Sequence, residues 1–118
     1  MQIEGVKVEA ADGLHDDGWC WPETRLTLSA LADAKEFRVG LWFQSELNAD
    51  RVLVSISTDK TPPSVQMIEL GEPKDIVLPL TWRRGEIMSV RIATPHKMTR
   101  AAGEQRDIAF SLMHLKAT

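Results

Sequence analysis

Nucleophilic, metal-dependent and acid–base chemistry would draw first on His15, His96, His114, Cys20 and the adjacent carboxylates Asp16 and Asp17. The histidines have neither HxH nor HExxH spacing, and a single cysteine among them makes no zinc motif. Seven glycines are scattered through turns rather than gathered into a phosphate-cradling loop, and no GxSxG elbow presents a serine. Asp16-Asp17 sits in a turn-forming stretch, where neighbouring carboxylates bind backbone amides more readily than they form a separated acid and base pair. The expectation is a domain with no catalytic residues, no metal and no cofactor.

Tryptophan offers a different chemistry. Four are present with no tyrosine, and an indole face can stack on a sugar ring or fill a core. Trp19 and Trp21 share one face of an extended segment, with Cys20 on the other. Trp19 directly follows Asp17-Gly18 and is expected to pack inward. Trp42 lies on the face of its strand that carries Arg38, Gly40 and Gln44, opposite Phe37, Val39, Leu41 and Phe43. That position suits a ligand platform, a second core face or a subunit contact. Trp82 stands beside Arg83 and Arg84 in an apparent loop, a setting for binding or for an ordinary indole stacked under arginine. The candidate ligand-binding residues are therefore Trp42, Trp82, Arg38, Gln44, Arg83 and Arg84, with an acidic or otherwise polar oligosaccharide as the expected ligand.

The elements that must position these residues read as strands. Two-residue alternation runs through 25–29, 37–43, 51–57, 75–80, 88–92 and 108–112, with weaker runs at 6–8 and 65–70. Turn formers separate them, among them Asp12-Gly13, Asp17-Gly18, Thr61-Pro62-Pro63, Gly71-Glu72-Pro73 and Arg84-Gly85. About eight short strands at this spacing predict an all-β, jelly-roll-like sandwich of two antiparallel sheets. Its shared core should hold Val39, Leu41, Val54, Ile56, Leu78, Val90, Ile92, Phe110 and Leu112. Residues 28–37 also have helix-forming composition, and are read as a strand end plus loop.

At 118 residues, 43% hydrophobic and 26% charged, the chain has the size and composition of one folded domain over 1–118. A net charge of -3 points to neither nucleic acid nor membrane, although residues 82–106 carry six bases against two acids. No export signal or membrane-spanning run is visible, and one cysteine suits a cytoplasmic location.

Two stretches, Asp16-Asp17-Gly18-Trp19 and Glu104-Gln105-Arg106-Asp107-Ile108-Ala109-Phe110-Ser111-Leu112, give the chain a resemblance. With the strands between them, they resemble the small β-sandwich accessory domains that accompany glycosyltransferases in bacterial polysaccharide synthesis. The match departs from that pattern at Ala109, where glycine is usual. The resemblance implies an accessory, carbohydrate-binding role, with an oligosaccharide or polysaccharide as ligand and a glycosyltransferase domain or chain as partner. The residues themselves read as structural: Asp17 and Gly18 make a turn, and Arg106 and Asp107 brace a loop before the last strand. A protein-interaction or oligomerisation module is the alternative, requiring an apolar patch or an open strand edge.

Overall fold

The computed structural model describes residues 1–45, 50–95 and 108–118. They form nine strands: β1 (Gln2–Glu4), β2 (Val6–Leu14), β3 (Trp19–Ala30), β4 (Ala34–Trp42), β5 (Arg51–Thr58), β6 (Thr61–Glu69), β7 (Lys74–Trp82), β8 (Ile87–Ala93) and β9 (Phe110–Ala117). Strands take up 73% of the chain, and no helix occurs among the described residues. Residues 28–37 form the end of β3, a bend over 31–33 and the start of β4 rather than a helix, because Leu28, Ala30, Ala34 and Phe37 all reach the core from the two strands, which outweighs the helix propensity of Ala, Leu, Lys and Glu.

Hydrogen bonding runs through all nine strands as one mainly antiparallel sheet, curled nearly into a barrel. The order is β6-β5-β8-β3-β9-β4-β7, with β2 added on β3 and β1 parallel on β9. Continuity between the two halves depends on β3. Its residues Glu23 to Ser29 pair with β8, whereas Trp19 and Cys20 pair with Ser111 and Phe110 of β9. Trp21 and Pro22 mark the change of neighbour, and Pro22 has no N–H with which to continue a ladder. Its carbonyl is still satisfied, by the Thr94 amide at 2.9 Å.

The nine residues expected in the core are all 4% exposed or less, so alternation located the interior correctly. Phe37, Phe43 and Trp82 are the largest of the further side chains buried with them, which also include Leu26, Leu28, Ile68, Ile76 and Met88. Two expected strand ends proved otherwise. Asp12-Gly13 forms a bulge inside β2, where Gly13 has φ 82° and lies against the Glu23 carbonyl. Pro62 and Pro63 belong to β6, an edge strand that tolerates missing amide donors.

Candidate functional site

The site begins at the β2–β3 hairpin. The His15 amide donates to the Trp19 carbonyl at 2.9 Å, and the Gly18 amide to the His15 carbonyl at 2.9 Å. Residues 16–18 thus form a three-residue loop whose last member, Gly18, takes φ 89°, a left-handed conformation that glycine adopts without a Cβ penalty. Asp17 Oδ1 accepts from the Trp19 amide at 3.3 Å, and the Gly18 carbonyl accepts from the Leu112 amide at 2.8 Å, fixing the loop against β9.

From this loop β3 starts with Cys20 pointing inward, fully buried, and with Trp19 and Trp21 on the outer face. Trp19 is half-buried, which overturns the expectation that it packs inward. The two-residue period allows only one of the adjacent positions 19 and 20 to enter the core, and cysteine occupies it. Desolvation pushes the Cys20 thiol up to about 12, so it is held as an inert thiol.

Ser111 of β9 pairs with Trp19 on one side and with Trp42 on the other. Because serine is small, the two indoles lean across it to a centroid separation of 5.9 Å at 58°. Trp21 is 44% exposed beside them, and its Nε1 donates to His15 Nε2 at 2.9 Å. Met113, also exposed, is the extra residue of a β9 bulge opposite Gly40 and Leu41. The bulge keeps Ser111 and His114 on the same outer face despite their odd spacing.

Farther along β4, the His114 ring lies directly over Gly40, and a Cβ at residue 40 would collide with it. His114 Nε2 is 3.0 Å from Asp75 Oδ1. Arg38 donates to Glu36 Oε1 at 2.8 Å and approaches Asp75 at 3.7 Å, while Lys116 lies 3.4 Å from Glu4. Gln2, Glu4, Arg38, Asp75, His114 and Lys116 line a groove of about 200 Å³, one wall of which is β1 laid along β9. The Glu36 hydrogen bond raises the Arg38 pKa against an opposing desolvation, with charge attraction from Glu36 and Asp75 adding to the rise. Arg38 and Lys116 each have carboxylate partners, so the groove is charge-balanced rather than cationic.

Other expected site residues lie elsewhere. Trp82 is fully buried, set edge-on to Phe37 at 5.7 Å and 88°, with Nε1 donating to the Glu86 carbonyl at 2.9 Å. It continues the inward phase of Ile76, Leu78 and Leu80 as the last residue of β7, so it is a core residue and offers no platform. Arg83 and Arg84 begin a turn closed by the Glu86 amide on the Arg83 carbonyl at 3.0 Å, with Gly85 at φ 83°. Their own amides donate to Glu86 Oε1 at 2.7 Å and Asp33 Oδ1 at 2.9 Å. Trp82 pairs with Ala34, at the opposite end of β4 from Trp42, roughly 26 Å away at about 3.3 Å per residue. Arg83 and Arg84 therefore cannot share a site with Trp42. Gln44 is exposed just beyond Trp42. Arg106, Asp107 and His96 lie outside the described residues.

Sequence reasoning placed Trp42 and Arg38 on one face but missed Trp19, Ser111, His114 and Asp75. Gly40 was the available signal: a glycine inside an otherwise apolar strand marks a close approach, here by His114. Among the described residues, no group of histidine, cysteine or carboxylate side chains could hold a metal ion. No described helix is long and apolar enough to cross a membrane.

No family model matches the chain, and no curated protein matches it. Among solved structures it is similar to part of BtGH115A, described as a novel family GH115 4-O-methyl-α-glucuronidase with specificity for decorated arabinogalactans. Identity is 15% and the TM-score 0.50, over 89% of this chain. The chain spans 15% of that protein's length, and the likeness concerns the fold alone.

Proposed function

We propose that this chain is a non-catalytic accessory domain that binds a glycan on the outer face of β9 and β4. One observation carries the reading: Trp19 and Trp42 meet over Ser111 as a partly exposed indole pair, beside a groove of paired polar groups. Indole faces stack on the apolar faces of sugar rings, and the Arg38, Asp75, His114 and Lys116 groups supply donors and acceptors for hydroxyls. Both cations of the groove already face carboxylates, Arg38 through Nη2 to Glu36 and Nη1 to Asp75, and Lys116 to Glu4. No free guanidinium fork is left there for an anion, so the ligand is a neutral, hydroxyl-rich oligosaccharide rather than an acidic one. The curled sheet is read as a flattened, jelly-roll-like sandwich, and its setting as cytoplasmic, beside a glycosyltransferase domain or chain in bacterial glycan synthesis. The fold neighbour's activity on decorated arabinogalactans is a fold-level analogy and adds no weight to a particular sugar.

A second reading, as a protein-interaction module, has its own observation: Leu53, Val65 and Met67 are exposed at 45%, 64% and 54% on β5 and the edge strand β6. A glycan array separates the two. The glycan reading expects retention of neutral oligosaccharides; an array on which nothing binds leaves the interaction module as the better account.

A further inference from the structure

A second cleft lies over β3, β8 and β5, built from residues with no part in the indole face. Arg91 stands between its register partners Arg25 and Ser57, and Ser89 pairs with Thr27 in the next row. With Asp59 they line about 330 Å³. Glu23 Oε1 accepts from Arg25 Nε at 3.0 Å and Nη2 at 2.8 Å, and from Arg91 Nε at 2.9 Å. This arrangement holds the two guanidinium groups side by side. It engages only one edge of Arg91, whose Nη atoms make no hydrogen bond among the described residues. The hydroxyls of Thr27, Ser57 and Ser89 and the carboxylate of Asp59 are likewise without a side-chain partner there.

We propose that this cleft is a second ligand site, for the carboxylate of a sugar acid. A guanidinium fork matches a carboxylate in geometry and charge. The serine and threonine hydroxyls can donate to or accept from ring hydroxyls, and Asp59 can only accept from them. Asp59 also sets selectivity. A compact dianion such as sulfate would meet its carboxylate with no hydroxyl to offer, whereas a singly charged polyol uses both Arg91 and Asp59. The inference stands apart from the indole site, which is read by fluorescence with neutral oligosaccharides.

The test is amide-resolved NMR titration with D-galacturonate, D-galactose and inorganic sulfate in parallel. D-galacturonate should move the amide signals of Ser57, Ser89 and Arg91 and saturate in the millimolar range usual for a shallow site. Galactose and sulfate should leave them in place at the same concentrations. Arg91→Gln should weaken galacturonate at least about tenfold, as loss of a charge-assisted fork does. Asp59→Asn should weaken galacturonate while admitting sulfate. Absent galacturonate shifts, equal shifts with sulfate or galactose, or undiminished binding by folded Arg91→Gln would each overturn the assignment. Failure of the indole site would instead appear as an unchanged indole signal with neutral oligosaccharides, leaving this titration unaffected.

Discussion

Replacing Trp82 by alanine should destabilise the domain far more than replacing Trp42, although both are strand tryptophans. Trp82 is fully buried, its ring meets Phe37 edge-on at 5.7 Å, and its Nε1 donates to the Glu86 carbonyl. Deleting a buried large aromatic costs about 3–5 kcal/mol, including the cavity left behind. The lost hydrogen bond adds little, because the Glu86 carbonyl still accepts from the Ala30 amide at 3.2 Å and is not orphaned. Trp42 is half-buried, so its removal forfeits partial burial and the Trp19 contact, about 1–2 kcal/mol together. Against a total stability of about 5–15 kcal/mol, the first loss is a large fraction and the second is tolerable. Urea denaturation followed by far-ultraviolet circular dichroism measures both, with the slope checked for constancy so that midpoints compare stability. Equal midpoints for the two variants, or a lower one for Trp42→Ala, would refute the placement of Trp82 in the core and of Trp42 outside it.

Gly40→Ala should displace the His114 ring from over β4 and cost about 1–3 kcal/mol by overpacking; unchanged His114 ring signals in NMR would contradict the contact. The unfolded Cys20 thiol ionises near 9.0, whereas burial delays ionisation in the fold to about 12. Its stabilising effect is therefore complete below pH 9 and declines as pH rises from 9 toward 12, so thiol reagents should label the native protein slowly and Cys20→Ala should lose that part of the alkaline decline. Hydrogen bonds from Arg91 and then Arg25 hold the Glu23 carboxyl below the usual carboxylate range. Its contribution is present at neutral pH and disappears as pH falls through that lowered value, and a carboxyl titration by NMR with an ordinary Glu midpoint would dispute the pairing.

The interior was legible because period two is written residue by residue in β4, β5 and β8: Val39 and Leu41, Val54 and Ile56, Val90 and Ile92 all face inward. Where two adjacent residues could both claim the core, alternation needed an anchor that only the register supplies. Trp19 and Cys20 are such a pair, and the pairing of Cys20 with Phe110 settles it. Trp82 misled for a related reason: the arginines after it suggested a loop, while its own position continued the inward phase of β7. The indole pair was illegible because Trp19 and Trp42 are brought together by Ser111, a residue without chemistry of its own to single it out. His114 was hidden by the bulge at Met113, which breaks the alternation that would have placed it beside Gly40.

The most direct measurement is an indole-fluorescence titration with neutral oligosaccharides, on the wild type and on Trp42→Ala and Trp19→Ala. Sugars stacked on the Trp19–Trp42 pair should change the emission of the wild type, with a dissociation constant from tens of micromolar to millimolar. Either substitution should weaken that binding by at least about tenfold while the far-ultraviolet spectrum remains that of a β protein. No response at millimolar sugar, or full affinity retained by both folded variants, would contradict the glycan-binding account.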